Sequence, residues 1–330
     1  MCNDSLVTDK TAFDEMTSDE QVESLRDVVQ QILSQYAFGE FEFESINHEF
    51  NSTFKVTADG GTKYALRVNV NSDRTRANLN AEIFWVSRIE AVNTPKPVKN
   101  SNGEYVTTAW HEASNRELSS VVYTWLEGAE VAEDPTAEQI SAMGAAMAKL
   151  HIDSVSLQLP AGADLPLIDD FLWGMNDLLL GAASKLSAED QALVAAAKTE
   201  IMAALAELSA GKRVQPLHAD LHLHNAMWHE GELSVFDFDD SAIGIPVQDI
   251  ATSLYYLDTE EQDQAFLAGY ASVRTLPAYT EEQMKLLLLQ RRLLLLDYLY
   301  ETSTPEHKAM IPAYKEESMR RVEALLGSGS

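Results

Sequence analysis

The residues best suited to catalysis are concentrated in two short segments in the second half of the chain. The first is His218–Asn225 (HADLHLHN) and the second is Val235–Asp240 (VFDFDD). Glu230–Gly231 between them predicts a tight turn, so the two segments should form a hairpin that places Asn225 beside Asp237. An amide oxygen next to a carboxylate is a pair of hard ligands that suits Mg²⁺. The spacing therefore predicts a divalent-metal site at the open end of the hairpin.

A further carboxylate, Asp220, stands five residues before Asn225 and should face the same pocket. In that place it could accept the proton of a hydroxyl group that attacks a phosphate. A hydrolase with two metal ions is the alternative, because four of the eight histidines fall between His218 and His229. The amide of Asn225 favours phosphate transfer, but on the residues alone both interpretations stay open.

The hydrophobic pattern divides the chain into a sheet-rich part and a helix-rich part, which together must position these residues. Up to about position 125, apolar and polar residues alternate as they do in strands. One stretch of helical spacing precedes the first three strands and another follows them. The strands predicted there are Phe41–Ile46, Ser52–Thr57, Tyr64–Val70, Tyr105–Thr108 and Ser120–Leu126, and the helices are Thr17–Leu33 and Ala77–Val92. Helical spacing then predicts Thr136–His151, Ser187–Ser209, Asp249–Leu257, Glu260–Tyr270 and Thr280–Tyr300. The expected fold class is α+β, with a small antiparallel-sheet lobe and a larger, mainly helical lobe.

The corresponding domain boundaries follow from shifts in composition. We expect an acidic N-terminal tail at 1–20 and a small lobe at 21–127. The larger lobe, with the catalytic loop, metal site and acceptor site, should occupy 128–326, and 327–330 (GSGS) should be a flexible tail.

The charge and cysteine content of the chain exclude some classes of binding partner. The 330 residues include 24 Lys and Arg against 52 Asp and Glu, a formal net charge of −28. Such a surface repels nucleic-acid phosphates and anionic lipid, so we expect neither a nucleic acid nor a membrane as partner, whereas a cationic small molecule would suit it. The single cysteine, Cys2, excludes a disulfide framework, and the acidic N-terminus does not match a signal peptide. We therefore expect a cytoplasmic protein.

The two catalytic segments resemble those of the aminoglycoside phosphotransferase and choline kinase family, relatives of the protein kinases. That family carries a His-Gly-Asp-x-His-x-x-Asn loop and an Asp about a dozen residues later, and here Asn225 and Asp237 are 12 apart. Ala219 stands at the glycine position. The helices after Tyr270 resemble the homoserine-kinase-like and stress-response-kinase-like branches. The resemblance implies a two-lobed, protein-kinase-like fold with ATP and Mg²⁺ as cofactors.

The resemblance also implies roles for individual residues. Asp220 would be the catalytic base, His218 and Asp249 would support the loop, and Asn225 and Asp237 would hold Mg²⁺. Seven residues would bind the nucleotide, and these are Arg67 with its ion-pair partner Glu82, Ser52 and Thr53 in a glycine-free phosphate loop at 46–54, and Tyr123, Thr124 and Trp125 in the hinge.

The function implied is an ATP-dependent kinase that phosphorylates a hydroxyl of a small metabolite. The acceptor class could be an amino alcohol, an amino sugar or an aminoglycoside-like compound, with Asp240, Asp170 and Trp173 as candidate acceptor contacts. A Ser/Thr protein kinase of the stress-response type is the alternative within the fold. A nucleotide-binding pseudokinase and the His/Asp metallohydrolase are the alternatives from other classes. Oligomeric state is left open by the sequence.

Overall fold

The structure, a computed structural model, describes residues 13–72, 74–131, 134–302 and 305–327. Its described residues divide into two compact units. The first contains the residues up to Arg76 together with Lys96–Trp125, and the second contains Ala77–Pro95 and the chain from Leu126 onward. From Leu126 onward the chain belongs to the second unit, close to the predicted boundary at 127. Residues 77–95, assigned above to the small lobe, belong to the second unit instead.

The first unit is an antiparallel sheet with two short helices. Its elements are α1 (Ser18–Ser24), α2 (Arg26–Leu33), β1 (Phe41–His48), β2 (Asn51–Ala58), β3 (Lys63–Asn69), β4 (Pro97–Val98), β5 (Val106–His111) and β6 (Arg116–Thr124). The strands run in the order β1-β2-β3-β6-β4, and β5 also pairs with β6. Strict alternation along β2 buries every second side chain, and Phe54 and Val56 pack there against Val29 and Ile32 of α2. One face of the sheet at β2 therefore belongs to the core of this unit.

The second unit is mainly helical. Its helices are α3 (Arg76–Val86, whose first residue closes the first unit), α4 (Ala137–Ser154), α5 (Ala188–Ser209), α6 (Pro246–Tyr255), α7 (Glu260–Val273), α8 (Glu281–Glu301) and α9 (Pro305–Gly327). Its short strands are β7 (Ala129–Glu130), β8 (Gln215–Leu217), β9 (Ala226–His229), β10 (Glu232–Val235) and β11 (Ala242–Gly244). β9 forms a hairpin with β10 and also pairs with β7, while β8 pairs with β11.

Helices α4 and α7 lie in close contact because each presents a glycine to the other. A Cβ on Gly144 would lie 2.0 Å from the Phe266 carbonyl oxygen, and one on Gly269 would lie 1.9 Å from that of Ser141. Helix α8 lies mainly in a second core, which it shares with α5 and α9, while its Met284 and Leu287 join the core of α4 and α7. Nine of its 21 residues are leucines and 12 of the 21 are buried, so the prediction of a buried helix over Thr280–Tyr300 is confirmed.

The predicted fold class, α+β with a small antiparallel sheet and a larger helical part, is confirmed. Residues 13–20, placed above in a tail, belong to the fold, because Phe13 is buried against α2 and Thr17 caps α1. Helix α3 ends at Val86 rather than 92, because the chain then turns to pair Asn93 with Ser234 of β10. Helix α9 was not predicted. The remaining tail residues, 1–12 and 328–330, lie outside the described residues.

Among the described residues, no helix has both the length and the apolar character needed to cross a bilayer.

Candidate active site

The loop His218–Asn225 connects β8 to β9 and begins with a reversal at Ala219. This residue has φ +64°, a left-handed conformation that costs a residue with a Cβ about 1 kcal/mol. The loop then closes with a 3₁₀ turn over Leu223–Asn225. A backbone in an unfavourable conformation persists only where neighbouring groups hold it, and hydrogen bonds hold this loop.

Asp249 is the principal anchor of this loop. The carboxylate, on the first turn of α6, is 1% exposed and accepts hydrogen bonds from the backbone N–H groups of Ala219 (2.8 Å, Oδ1) and His218 (3.2 Å, Oδ2). Its Oδ2 also accepts a bond from His151 Nε2 at 2.8 Å, and His151 Nδ1 is bonded to the Tyr270 hydroxyl at 2.9 Å. One carboxylate thus fixes two successive loop amides and the end of α4.

His218 lies behind Asp220. Its Nε2 donates to the carbonyl of Phe236 at 2.9 Å, its Nδ1 accepts the Asp220 N–H at 3.3 Å, and its ring packs on Phe238. The ring is fully buried and both of its nitrogens are bonded. His218 therefore connects the loop to the segment before Asp237 and supports the position of Asp220.

The Asp220 carboxylate is surrounded by donors. Arg291 Nη2 donates to Oδ1, Asn225 Nδ2 lies 3.2 Å from Oδ2, and His222 Nε2 lies 3.3 Å from Oδ2. Burial disfavours the charged carboxylate, but the Arg291 charge and the His222 hydrogen bond outweigh burial, so the pKa of Asp220 lies below its usual range. The group is consequently an anion at neutral pH.

The amide of Asn225 is held in a fixed orientation by two hydrogen bonds. Its Nδ2 donates to the Asp220 backbone carbonyl at 2.8 Å as well as to the carboxylate, so the amide oxygen is the atom that can receive a cation. The hairpin turns at Glu230–Gly231 as predicted. The Phe236 N–H donates to the Asn225 carbonyl at 3.1 Å, which places the next residue, Asp237, near Asn225. Asp237 is exposed and has φ +60°.

An amide oxygen and a carboxylate fit a hard divalent cation, the donor set predicted for Mg²⁺. Within the part of the chain that the structure describes, no cluster of three or more His, Cys, Asp or Glu side chains is arranged as a metal centre.

The predicted nucleotide residues of the first unit separate into two groups. Arg67 of β3 is buried, with its guanidinium 5.5 Å from the ring centre of Tyr123 on β6. Thr53 of β2 pairs with Arg67 in the sheet register and shares its face. Ser52 points to the opposite, core face, where its hydroxyl is bonded to His48 Nδ1 at 2.6 Å. The structure therefore groups Thr53, Arg67 and Tyr123 and separates Ser52 from them.

Of the remaining predicted nucleotide residues, Thr124 and Trp125 lie at the end of β6 and Glu82 lies within α3. Thr124 ends β6 and is bonded twice to the backbone of Lys96, once through its N–H and once through its hydroxyl, both at 2.8 Å. Trp125 follows, with Lys55 Nζ 5.8 Å from its ring centre. Glu82 is buried on α3 in the second unit. Its pairing with Arg67 stays a prediction.

The three candidate acceptor contacts differ in placement. Trp173 has φ +55°, and its ring lies 5.6 Å from the Arg291 guanidinium carbon. Burial disfavours the charge of Arg291, but Asp220, Tyr256 and Asp240 favour it, and its pKa is raised. Asp240 is thus also close to this cation. Asp170 instead uses its carboxylate to accept the backbone N–H groups of residues 172 and 174, which shapes the loop.

Arg291 and Tyr256 are among the residues at the site to which the sequence analysis gave no role. Tyr256 follows α6, receives a 2.8 Å hydrogen bond from Arg291 Nη2, and has its pKa raised to about 12 by burial. The signal for Arg291 was a pair of arginines, 291 and 292, inside an otherwise leucine-rich helix. No sequence feature indicated which carboxylate would lie opposite.

Fold and site together define a phosphotransferase with a protein-kinase-like architecture, as the comparisons with known proteins establish. Residues 42–287 match the phosphotransferase enzyme family, and the chain belongs to that family. The amicoumacin kinase of Bacillus subtilis (strain 168) is 25% identical over 312 residues, which cover 88% of this chain and 90% of that protein.

Solved structures agree on the fold. The microcompartment-associated aminopropanol kinase superposes with a TM-score of 0.77 at 26% identity, covering 92% of this chain and 98% of that one. Amicoumacin kinase hAmiN, solved in complex with AMP-PNP, Ca²⁺ and Ami, gives a TM-score of 0.73 at 21% identity, with 92% and 96% covered. The family and the kinase-like fold expected from the catalytic segments are thereby confirmed.

Proposed function

We propose that the protein transfers the γ-phosphoryl group of ATP to a hydroxyl of an amine-bearing small molecule, with Asp220 as the catalytic base. The observation that carries the proposal is the Asp220 carboxylate itself. It is ionised, sits on a loop held by the buried Asp249, and lies within hydrogen-bond distance of the Asn225 amide. Such a carboxylate orients an incoming hydroxyl and takes up its proton.

Asn225 and Asp237 would hold the divalent cation. A bound Mg²⁺ would neutralise phosphate charge, which is a large part of phosphoryl-transfer catalysis. Both residues offer oxygen donors, and the hydrogen bonds from Asn225 Nδ2 to Asp220 fix the direction of its amide oxygen. This geometry couples the metal position to that of the base.

The basic residue for the nucleotide phosphates would be Arg67. It is a permanent cation on the sheet face that also carries Thr53 and Tyr123. The guanidinium has a fixed planar set of donors that suits phosphate oxygens.

An amine-bearing acceptor is supported by two independent features. The chain carries a formal net charge of −28, which favours the approach of cations. Two of the similar proteins are named as kinases of amicoumacin and of aminopropanol. Amino alcohols are therefore the first class of acceptor to test, ahead of amino sugars and aminoglycosides.

The test is ADP release with ATP and Mg²⁺ across amino alcohols, amino sugars, aminoglycosides and one generic protein substrate. We expect stimulation by an amine-bearing small molecule and none from the Asp220→Asn variant, which should still be stabilised thermally by ATP. Asp258→Asn, an exposed carboxylate of the same unit, is the matched control and should behave as wild type. Stimulation only by the protein substrate, or full activity of Asp220→Asn, would contradict the proposal.

The metal assignment has its own readout. Asn225→Ala and Asp237→Asn should each raise the Mg²⁺ concentration needed for half-maximal activity by at least about tenfold, since each removes a ligand oxygen. An unchanged Mg²⁺ requirement in both variants would show that these residues do not hold the cation.

A further inference from the structure

Arg291 is a buried cation whose side chain reaches the proposed catalytic base from another part of the second unit. It lies in the middle of α8, and its side chain is 8% exposed. Its Nη2 donates both to Asp220 Oδ1 and, at 2.8 Å, to the Tyr256 hydroxyl. The guanidinium carbon lies 5.6 Å from the ring centre of Trp173 and 5.4 Å from that of Tyr256.

This arrangement fixes the cation on several sides. Two aromatic rings flank the guanidinium, the Tyr256 oxygen holds Nη2, and the helix backbone fixes the base of the side chain. Trp173 reaches this position with φ +55°, a conformation that bulky residues rarely adopt and that is found mainly at functional sites. Removing an arginine from water is costly, so a group held in this way has a specific task or a strong partner.

The partner is one oxygen of Asp220 and not the other. Arg291 bonds to Oδ1, whereas Oδ2 has only the longer contacts to Asn225 Nδ2 (3.2 Å) and His222 Nε2 (3.3 Å). An arginine bond to Oδ1 fixes the rotation of the carboxylate about its own axis. The other oxygen is then presented at a constant angle.

We propose that Arg291 is a positioning residue for phosphoryl transfer, which holds Oδ1 of Asp220 so that Oδ2 receives the acceptor hydroxyl. This inference rests on the proposed function. In the step it serves, the acceptor oxygen forms a bond to the γ-phosphorus and the bond from that phosphorus to the β–γ bridging oxygen breaks, which releases ADP. The proton of the hydroxyl passes to Oδ2. Arg291 contacts none of the reacting atoms and acts through the angle of the carboxylate.

The neighbouring Arg292 is a natural control. It occupies the same helix, is 7% exposed, and donates to Ser318 Oγ at 3.0 Å and to the Tyr314 carbonyl at 3.3 Å. Its guanidinium carbon lies 4.2 Å from the Tyr314 ring. These two partners belong to α9, and Nη1 also donates to the Tyr255 hydroxyl of α6 at 3.4 Å. Arg292 thus shares the burial and charge of Arg291, but its hydrogen bonds go to groups other than Asp220.

The test compares Arg291→Met and Arg291→Lys with Arg292→Met and Arg292→Lys. For Arg291→Met we expect kcat to fall by about 100-fold, the effect typical of a misplaced catalytic group, with the KM for ATP within about threefold of wild type. Arg291→Lys restores a cation without the planar fork and should recover part of kcat. The Arg292 variants should lose thermal stability but keep kcat within about threefold.

Added guanidinium ion separates positioning from a general loss of structure. In Arg291→Ala it should raise kcat several-fold, because it can occupy the vacated space between the two rings, and it should have no such effect on Arg292→Ala. A kcat for Arg291→Met equal to that of Arg292→Met, or no rescue by guanidinium, would overturn the inference. Asp220→Asn, measured alongside, distinguishes the failures, because activity in that variant would refute the proposed function itself.

Discussion

The carboxylate of Asp249 is the single group on which the geometry of the catalytic loop depends most. It accepts two backbone N–H groups, from His218 and Ala219, and one imidazole N–H, from His151. The substitution Asp249→Asn keeps the shape of the side chain but replaces one acceptor oxygen with a donor NH₂ group. At least one of the three donors must then face another donor.

The size of the effect can be worked out from these bonds. Hydrogen bonds to a charged acceptor contribute about 1.5–3 kcal/mol each, and a buried donor left without a partner costs about 1–3 kcal/mol. If the amide oxygen keeps the Ala219 bond, the bonds from His218 and His151 are lost or reversed. The free energy of unfolding should therefore fall by about 3 kcal/mol, and the left-handed conformation of Ala219 should lose part of its support.

Urea denaturation followed by far-ultraviolet circular dichroism measures this change, with Asp258→Asn as the exposed control expected to stay within about 0.5 kcal/mol of wild type. Activity per folded molecule should fall as well, because the loop amides position Asp220. A destabilisation below about 1 kcal/mol would show that the loop amides do not depend on the charge of Asp249.

Three further outcomes are expected. Gly144→Ala should destabilise the protein by more than about 2 kcal/mol in a urea melt, although alanine favours helices, because its Cβ would overlap the Phe266 carbonyl. Burial raises the pKa of Asp297 to about 7, so the folded state retains a proton that the unfolded state releases, and stability is lost as pH rises from about 4 through 7. Asp297→Asn removes this loss, and its stability relative to wild type should increase by roughly 2 kcal/mol between pH 5 and pH 8. Ser52→Ala should cost about 1 kcal/mol by removing the bond to His48, while the KM for ATP stays within about twofold of wild type.

Results opposite to these would each correct one part of the structure. A stable Gly144→Ala variant would mean that α4 and α7 are further apart than described. An Asp297→Asn variant whose relative stability is constant with pH would mean that this carboxyl is already ionised below pH 5. A large rise in KM for ATP in Ser52→Ala would place that hydroxyl at the nucleotide.

The loop His218–Asn225 and the hairpin after it could be predicted because their positions depend on local spacing. A two-residue turn at Glu230–Gly231 between two short apolar strands permits few pairings, and the observed register brings Asn225 next to the strand that leads to Asp237. Alternation along β2 separates its core-facing residues from Thr53, which the observed register places opposite Arg67. A sequence pattern can predict contacts of this kind because the residues that make them lie close together along the chain.

The parts that the sequence could not provide depend on distant contacts. Arg291 lies 71 residues from Asp220, and no periodicity in a leucine-rich helix indicates which of its polar residues will meet a given loop. The face of Ser52 was missed because the glycine-free segment was treated as a phosphate loop, whereas it continues as a regular strand whose alternate residues are buried. Helix α9 was missed because Pro312 lies within it, and an internal proline normally argues against a helix.

Detection of the product shows whether Asp220 serves as the base for phosphorylation of a small amine-bearing hydroxyl compound. Wild-type protein and Asp220→Asn would each be incubated with ATP, Mg²⁺ and the acceptor that stimulates ADP release, and followed by ³¹P nuclear magnetic resonance. If Asp220 has this role, a phosphomonoester signal grows with ADP in the wild type and is absent in Asp220→Asn, although both proteins bind ATP. Equal formation of the phosphomonoester by the two proteins, or release of inorganic phosphate in its place, would contradict this role.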